Sequence, residues 1–479
     1  HDRRSAGEAE LMPTPVFLWT DILLWILVVL TVVTILYSRK RRHLAEPWKS
    51  VFRSRVAVGS LVVLMSFISV GLLDSVHFRG TGSSSSGEVL SLFDLMVSGL
   101  RERQEKTYSA PFATHLYARE TVQLGDGTEQ RIYPRLAHGG NHLAEGESVA
   151  QDIYLTIVTS LLQALALWAV LVLLIAAWRK QEGMTLRQTI SLWICPRCRV
   201  SLGVEPGFPW ATFLWTLLAM LILVVTAGNL SQDYHILGTD KVGEDVFYQA
   251  LKSIRTGLVL GTLTTLVMLP AAILLGVMAG YFRGWVDDAI QYLYTTLNSI
   301  PGVLLIAAAV LMLQVYMDNN AEAFTSSLER ADMRLLFLCM ILGVTSWTGL
   351  CRLLRGESLK IRELDYVQAA QAFGVGHFRI LMRHLVPNVM HIVLIAVVLD
   401  FSGLVLAEAV LSYINIGVDP TTNSWGNMIN GARLEMARDP IVWWSLFAAF
   451  VFMFSLVLAA NLFSDVVRDA FDPRLKGKL

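Results

Sequence analysis

The residue types that could do chemistry are sparse in this sequence, and its cysteines are the first to consider. Cys195 and Cys198 form a CPRC motif, whereas Cys339 and Cys351 lie inside or at the edge of an apolar run. A structural zinc site needs four ligands, usually from two such pairs. The motif could therefore be half of a zinc site that is completed across a dimer, or a redox pair. We favour a third interpretation, in which the motif is two reduced thiols in a turn at Pro196.

Histidines and phosphate-binding motifs give no better sign of an enzyme. His384 and His391 are seven residues apart and do not form a metal site by themselves. The chain contains no GxxxxGKS or GxxxxGKT run, and its segment GVGHFRI lacks the lysine and the preceding strand of such a motif. A membrane enzyme is therefore the weakest hypothesis, and the chain is not expected to bind ATP itself.

Composition defines the class of protein. Of the 479 residues, 54% are hydrophobic and only 16% are charged, and 13 are tryptophan. These values lie far outside the range of soluble globular domains, so the chain is predicted to be an integral membrane protein. Its formal charge is zero, and its basic residues cluster beside apolar runs, where membrane topology explains them. Nucleic-acid binding is therefore excluded as a prediction.

Apolar runs long enough to cross a bilayer give the element count. A spanning helix needs about 20 apolar residues, and nine runs have roughly that length. Two of them are interrupted by Pro270 and Pro301, where kinks or broken turns are expected. The predicted spans are Thr20 to Tyr37, Val56 to Leu73, Ile153 to Trp178, Trp210 to Ala227, Ile254 to Tyr281, Ala289 to Tyr316, Leu335 to Leu354, Val389 to Leu411 and Trp443 to Phe463.

The loops between these runs predict the orientation. Four segments rich in Lys and Arg lie after the first and third runs, between residues 352 and 384, and in the C-terminal tail. Nine alternating crossings place all four on one side, which the positive-inside rule makes cytoplasmic. The C-terminus is then cytoplasmic and the N-terminus lies outside. A cleaved signal peptide is not evident, because an acidic and polar leader precedes the first run.

Residues 74–150, called the lobe below, are predicted to lie outside the membrane. The Gly/Ser-rich start of this segment reads as a flexible linker. The remainder contains enough apolar and aromatic residues for a small folded unit. We expect a helix followed by a short strand pair with a turn at Gly125, Asp126 and Gly127.

A polar segment between two apolar runs is the most informative stretch. It reads YVQAAQAFGVGHFRILMRHLVPN over residues 366–388. Gln368, Ala369 and Ala370 precede Gly374, a basic run follows, and Pro387 is expected to end the element before the next apolar helix. The pattern predicts two short helices joined at a glycine, because glycine permits a backbone conformation or close approach that other residues resist. A partner that binds such a protrusion on the cytoplasmic face could transmit a conformational change to the membrane helices.

This stretch resembles the EAA loop of bacterial ABC importer permeases. The match runs through Gly374 to Pro387 and departs at Gln368, where the family usually has Glu, and at Val386, where Leu is usual. Three further segments resemble the C-type subunits of dipeptide and oligopeptide permeases, in the right order and together covering about residues 210–479. They are HILGTDKVGEDVFYQALKSIRTGL, EAVLSYINIGVDPTTNSWGNMI and DVVRDAFDPRLK.

The resemblance implies an all-α polytopic protein of the bacterial inner membrane. Six of about nine transmembrane helices would form the type I importer permease core, with a small extracytoplasmic lobe. The implied division is residues 1–73 with two transmembrane helices, 74–150 as a periplasmic insert, 151–209 with the third helix and the CPRC loop, and 210–479 as the core, whose EAA-like coupling loop covers 357–388.

The resemblance also implies partners and a mechanism. Such permeases pair with a second permease of the B type, receive solute from a periplasmic substrate-binding protein, and are driven by two ABC ATPases that bind ATP and Mg²⁺. Residues Asp365 to Phe378, called the elbow below, would then seat in a groove on an ATPase. The implied coupling residues are Gln368, Ala369, Ala370, Gly374, Arg379, Arg383 and Pro387.

The solute path is less constrained by the sequence. Asp400 lies 12 residues beyond Asn388, about 18 Å along a helix and so close to the bilayer centre. Its carboxylate contacts either a peptide amino group or partner-helix cation, or a polar residue of a neighbouring helix. Glu408 is assigned to an outer gate or to helix packing. Asn298 and Ser299 either line the cavity or flank an ordinary proline kink.

One alternative function stays open at this point. The chain could be a membrane scaffold or sensor whose permease-like core has lost its drive and whose lobe binds a partner. The replacement of Glu by Gln at position 368 is the direct support for that hypothesis.

Overall fold

The architecture was established from a computed structural model, which describes residues 14–40, 42–79, 89–123, 129–144, 147–178, 193, 207–320, 322 and 326–471. Within these ranges the chain is mainly helical. The longer helices are α1 (Trp19–Lys40), α2 (Arg42–Arg53), α3 (Arg55–Asp74), α6 (Val149–Trp178), α7 (Trp210–Asp233), α8 (Val246–Phe282), α9 (Trp285–Ser299), α10 (Gly302–Asn319), α11 (Ser327–Arg362), α14 (Val386–Tyr413), α15 (Trp425–Glu435) and α16 (Trp444–Phe471).

The helical membrane architecture predicted from composition is confirmed. Nine helical segments in the described part of the chain are long and apolar enough to cross a membrane. The sixth predicted span needs correction, because the run from Ala289 to Tyr316 consists of two helices and only Gly302–Asn319 qualifies as a span. The break falls at Ile300 and Pro301, where a proline ring cannot continue the preceding helix. Helix α8, in contrast, continues through Pro270.

Helix α8 is the central element of the bundle. It packs along α11, and three glycines let the two helices approach closely: a Cβ added to Gly276 would lie 2.8 Å from the Cys351 carbonyl oxygen, and one on Gly280 would lie 2.7 Å from that of Arg355. Gly343 of α11 makes the reciprocal approach to α8. Small residues at helix contacts are a common device in membranes, where close packing drives association. Helices α3, α14 and α16 pack around this pair.

The N-terminal helices α1, α2, α3 and α6 lie around this bundle, and α3 also contacts α7. Helix α3 packs on α8 and α16, and α6 packs on α7. The second pair is joined by polar contacts: the Trp168 indole donates to the Leu214 carbonyl at 2.8 Å, and the Asn229 amide donates to Ser160 and Gln163 at 2.9 and 2.8 Å. Most of the remaining side chains of α1 and α6 are exposed and apolar, as expected of lipid-facing helices.

Most strands of the described residues belong to the lobe, and a strand that precedes α1 joins one of its sheets. Strands β1 (Thr14–Val16), β2 (His77–Arg79) and β3 (Val89–Ser91) form an antiparallel sheet in that order, with Pro15 opposite Phe78. The expected helix and strand pair are both present, as the short helices α4 (Leu92–Met96) and α5 (Ser98–Arg101) and the hairpin of β4 (Glu120–Gln123) and β5 (Glu129–Ile132). The predicted turn at Gly125 to Gly127 and the CPRC motif lie outside the described residues.

Candidate functional site

The elbow projects from the end of α11 as a helix, a turn and a second helix. Helix α12 (Asp365–Ala372) begins after Leu364 and ends at Phe373. Gly374 follows with a φ of +72°, which only glycine adopts without strain. Helix α13 (His377–Ile380) then begins with Gly376 as its N-cap residue. The predicted pair of helices joined at a glycine is therefore present.

Pro387 does not end this element, contrary to the expectation from the sequence. A π-helical turn, Leu381–Leu385, connects α13 directly to α14, so that His377 to Tyr413 form one continuous helical segment. Proline lacks an N–H and would interrupt the usual ladder inside a helix. Here the Val386 N–H bonds five residues back to the Leu381 carbonyl, and Pro387 follows in the first turn of α14. The wider turn thus accommodates the proline.

Apolar anchors and three polar contacts fix the elbow to the bundle. Val367 and Ile380 are fully buried. Arg362 donates to the Tyr281 carbonyl oxygen at 2.7 Å, and the Tyr281 hydroxyl lies 2.8 Å from Nδ1 of His377. Asn388 donates to the Tyr366 hydroxyl at 3.0 Å. The end of α8 and the base of α14 therefore hold both arms of the elbow.

The opposite face of the elbow is exposed and partly apolar. Phe373 and Phe378 are 86% and 74% exposed, and a Cβ added to Gly374 would meet nothing within 4 Å. Gln368, Ala369, Arg379 and Arg383 are also exposed, whereas Ala370 is half-buried. Large exposed aromatic side chains beside a flat small-residue surface are typical of a protein interface. The elbow therefore presents an exposed, partly apolar surface of the kind that protein contacts use.

The side-chain amide of Gln368 makes contacts with Glu363 that a carboxylate at this position could not make. Its Nε2 donates to the Glu363 carbonyl oxygen at 3.3 Å and approaches the Glu363 carboxylate at 3.4 Å. Glu363 also pairs with Arg283 at the end of α8. A glutamate at position 368 could not donate these bonds and would face a second carboxylate. The side chain of Gln368 therefore stabilises the junction of α11 and α12.

The candidate path residues do not form one cluster. Asp400 lies at the midpoint of α14, is half-buried, and has no hydrogen bond or ion pair within the described ranges. Glu408 is buried between α14 and α15, where it accepts a hydrogen bond of 2.7 Å from Ser412 beside Gly426. Glu408 therefore lies in a helix contact, whereas the carboxylate of Asp400 has no partner among the described residues.

Asn298 and Ser299 lie at the exposed end of α9, next to the break at Pro301. Asn298 accepts a hydrogen bond of 3.1 Å from Thr348 of α11, and the Ser299 hydroxyl donates to the Thr296 carbonyl at 2.7 Å. Both side chains remain largely exposed. They stabilise the end of α9 while keeping polar atoms accessible.

A buried ionic network at the other end of α8 was missed by the sequence analysis. Arg255 lies 2.5 Å from the Asp21 carboxylate of α1 and 3.8 Å from that of Asp332 of α11. His77 of β2 contacts Asp21 at 2.7 Å. One turn away, Lys252 contacts Asp94 of the lobe at 2.5 Å. The signal was available, because ionisable residues inside apolar runs are rare and are usually paired.

A second missed cluster joins the lobe to the loop before α8. His235 lies 2.7 Å from Asp245 and 3.5 Å from Glu105 of the lobe, and all three side chains are buried. Burial favours neutral His235, but the contacts with Asp245 and Glu105 prevail and raise the pKa of its imidazole to about 9. Burial likewise opposes ionisation of Glu105, but His235 and backbone N–H groups of residues 137–139 lower its pKa to about 2.

Backbone contacts complete this junction. Glu105 N–H donates to the Gly243 carbonyl at 2.9 Å, and Thr239 N–H donates to the Ser109 carbonyl at 3.1 Å. Gly243 has a φ of +81°, and a Cβ at this position would collide with the Glu105 carbonyl oxygen. The lobe is thus packed closely on the loop and is not an independently hinged unit.

No metal site is formed in the described part of the chain, where no group of three or more His, Cys, Asp or Glu residues has suitable geometry. Cys339 and Cys351 are buried free thiols on α11. Cys195 and Cys198 lie outside the described residues, so the geometry does not bear on the zinc and redox interpretations of the CPRC motif.

Comparison with known proteins gives the class to which this bundle belongs. Residues 272–477 match the family described as binding-protein-dependent transport system inner membrane component. The glutathione transport system permease protein GsiD of Pectobacterium atrosepticum is 31% identical over 242 residues, which make up 50% of this chain and 73% of that protein. The dipeptide transport system permease protein DppC of Bacillus subtilis is 30% identical over 242 residues, or 50% of this chain and 69% of the relative.

A third relative gives the same result. The oligopeptide transport system permease protein OppC of Mycobacterium tuberculosis is 30% identical over 239 residues, which cover 50% of this chain and 76% of OppC. The chain therefore belongs to the family of binding-protein-dependent inner membrane components, and it is an ABC importer permease of the C type, as its motifs predicted. It is a multi-pass inner membrane protein. Permease subunits of this family are not enzymes, since the ATPase activity lies in separate subunits.

Proposed function

We propose that this chain forms half of the translocation path of an ATP-driven importer for di- or oligopeptides or peptide-like solutes. It moves the solute by alternating access, which partner ATPases drive. The exposed elbow carries this proposal, because two aromatic side chains and an open Gly374 present a docking surface at the end of three core helices. The relatives include dipeptide, oligopeptide and glutathione permeases, which supports the solute class.

The proposed orientation has the elbow in the cytoplasm and the lobe outside. The lobe contacts Lys252 near the start of α8, whereas His377 of the elbow contacts Tyr281 at its end. These contacts are 29 residues apart, or about 44 Å along a helix, which exceeds the ~30 Å hydrocarbon core. The basic loops favour the elbow side as cytoplasmic. The N-terminus is then periplasmic and the C-terminus cytoplasmic.

The proposed complex contains a second permease of the B type, two ABC ATPases that bind ATP and Mg²⁺, and a periplasmic substrate-binding protein. The core comprises residues 210–479, and its coupling loop comprises 357–388. Residues 1–73, 74–150 and 151–209 form the N-terminal extension, and the lobe contributes to docking of the binding protein. Exposed Arg379 and Arg383 lie beside the elbow's apolar face and would contact acidic groups at the rim of the ATPase groove.

Asp400 is the proposed solute-facing carboxylate. An ionisable group at the middle of a spanning helix usually faces a cavity or a paired cation. Asp400 has no such cation within the described residues, so the amino group of a peptide or a residue of the second permease would complete the pair. Ala substitution is expected to weaken uptake of solutes with a free amino group more than uptake of blocked analogues.

The decisive experiment combines isolation of the complex with a matched pair of glycine substitutions. The tagged chain is extracted from its native membrane in mild detergent, and bound proteins are identified by mass spectrometry. Gly374→Arg is compared with Gly284→Arg, because both positions have positive φ and open surroundings, at +72° and +59°, and both lie on the elbow side of the core. Gly284 lies between α8 and α9 and outside the elbow.

The wild-type chain should retain a second permease and the ATPases. Gly374→Arg should lose the ATPases and solute uptake while staying in the membrane with the second permease, whereas Gly284→Arg should keep both. Uptake that survives Gly374→Arg would refute the coupling role. A preparation free of ATPase, even after crosslinking through residues 365–378, would support the scaffold or sensor hypothesis instead.

A further inference from the structure

A groove of about 470 Å³ opens on the side of the molecule between α1, β1 and the segment that follows α3. Its volume falls within the range of about 300–1,000 Å³ that is typical of small-ligand pockets. The groove is separate from the elbow and from the proposed path residues. Its lining residues are Pro15, Val16, Phe17, Asp21, Ile22, Trp25, Ile26, Val29, Ser75, Val76 and His77.

The few polar side chains of this lining are already used inside the protein. Asp21 pairs with His77 and Arg255, and the Ser75 hydroxyl donates to the Gly71 carbonyl oxygen at 2.8 Å. The other lining residues are aliphatic, aromatic or proline. A ligand that entered the groove would therefore meet mainly apolar surface, with the indole N–H of Trp25 as one additional polar group. An extended hydrocarbon chain matches this chemistry.

The depth of the groove matches one leaflet of a bilayer. The membrane span of α1 begins at Trp19, and the groove continues from Asp21 to Val29. Eight residues of helix correspond to about 12 Å, compared with about 15 Å for half of the hydrocarbon core. Phe17, Ile26 and Val29 are 76%, 54% and 60% exposed, so the groove is open toward the lipid.

The end of the groove nearest the aqueous boundary carries aromatic and basic groups. Trp19 is 60% exposed at the start of the span, where amphipathic rings prefer to lie. In the sheet, Arg79 of β2 lies opposite Thr14 of β1. His77, which lines the groove, lies two residues earlier on β2, opposite Val16. Arg79 is exposed and has no ion pair within the described residues. Residues two apart in a strand share a face, so Arg79 lies on the same face of β2 as His77, and a guanidinium there can bind a lipid phosphate.

We propose that the groove binds a phospholipid, with one acyl chain against Trp25, Ile26 and Val29 and its phosphate near Arg79. Bound lipid would fill the space between α1 and residues 75–77. It would also cover the contact of Asp21 with His77 on the lipid side, and so exclude water from the ionic network that joins α1 to α8.

The test uses the full complex, purified in detergent and mixed with dioleoyl phosphatidylglycerol, with bound lipid counted by native mass spectrometry. Ile26→Trp should fill the groove and abolish retention of one lipid. Val33→Trp is the matched control, because Val33 is 55% exposed on the same helix but outside the groove. Arg79→Gln should weaken lipid retention about fivefold, the effect of one interfacial cation. Equal retention by Ile26→Trp and Val33→Trp would overturn the proposal.

A second measurement identifies the occupant in the native membrane. A photoreactive phenylalanine analogue replaces Ile26, and the adduct formed on illumination is analysed by mass. We expect a phospholipid adduct at this position. The yield of that adduct should be lower in a chain that also carries Arg79→Gln. An adduct with another subunit, with a segment of this chain or with the transported solute would mean that the groove is an internal or protein contact, and would refute a lipid site.

Discussion

The two ends of α8 differ in how deeply their charged residues are buried. At the lobe end, Arg255 is buried among carboxylates from α1 and α11, and Lys252 contacts Asp94 of the lobe. At the elbow end, Arg355 of α11 pairs with the mostly buried Asp287 of α9, whereas the pair of Arg283 with Glu363 beside the elbow is about half exposed. Buried charges are tolerated only when they are paired, whereas exposed pairs contribute little to stability. The lobe end is therefore held together within this chain, and the elbow end presents the exposed surface to which we assign the ATPase contact.

The glycines repeat this contrast. Gly243 and Gly374 both have positive φ, at +81° and +72°. At Gly243 the lobe backbone occupies the space that a Cβ would need, while at Gly374 nothing lies within 4 Å. The first glycine serves a contact that already exists within this chain. The second leaves the open surface on which the proposed ATPase contact depends.

The largest predicted effect is the loss of the central cation at the lobe end. Arg255→Leu would leave Asp21 and Asp332 buried without their guanidinium partner. Breaking a buried ion pair in this way typically costs about 3–5 kcal/mol. The thermal unfolding midpoint of the detergent-solubilised protein should fall accordingly, and α1 should become sensitive to protease.

Arg379→Leu at the elbow is the control for that substitution. Arg379 is exposed, so its replacement should change the free energy of unfolding by less than about 0.5 kcal/mol. If the two variants unfolded at the same temperature, the distinction between a fixed end and an open end would fail.

The next effect compares the two glycines directly. An L-residue with positive φ costs roughly 1–2 kcal/mol, so Gly374→Ala should destabilise the protein by about that amount. Gly243→Ala adds the collision with the Glu105 carbonyl, and overpacking typically costs a further 1–3 kcal/mol or so. Unfolding in denaturant measures the difference. Equal destabilisation by the two variants would show that the lobe moves aside readily and is not firmly seated.

Much of this architecture was predictable because membrane helices carry a strong local signal. Apolar runs gave the nine spans, and Gly374 within a polar stretch gave the helix pair of the elbow. The sequence predicted an interruption at Pro301, and a helix break lies there. The predicted span from Ala289 to Tyr316 was nevertheless too long, because apolar residues lie on both sides of the break. Pro387 does not end the helix as predicted, because the preceding π-helical turn accommodates a proline that would end an ordinary helix.

The ionic junctions were not predictable to the same degree. Arg255, Asp21 and Asp332 are separated by up to 311 positions, and only the packing of α1, α8 and α11 brings them together. Each residue carried a local warning, because a charge in an apolar run needs a partner, but the sequence does not say which one. The sequence likewise did not predict what the lobe contacts. Its close packing on the loop before α8 depends on backbone hydrogen bonds, which have no signature in the sequence.

The last predicted effect is a pH dependence confined to the lobe end. The pKa of His235 is raised to about 9 from an ordinary 6.5, so its stabilising contribution is complete below about pH 6.5 and is lost as the pH rises toward 9. The pKa of Glu105 is lowered to about 2 from 4.5, so its contribution is complete above 4.5 and is lost as the pH falls toward 2. The junction should be most stable between about pH 4.5 and 6.5.

His235→Gln should therefore destabilise the protein by about 1–3 kcal/mol at pH 6, because Asp245 and Glu105 lose a charged donor in a buried site. At pH 9 the difference from wild type should shrink, since the wild-type imidazole is then losing its proton. His377→Gln is the matched control at the elbow, where the ring contacts the Tyr281 hydroxyl and no carboxylate. Thermal unfolding at both pH values measures the change. A difference between His235→Gln and wild type that stayed constant would mean that His235 is held by packing, and that the fixed end of α8 owes its stability to contacts other than charge.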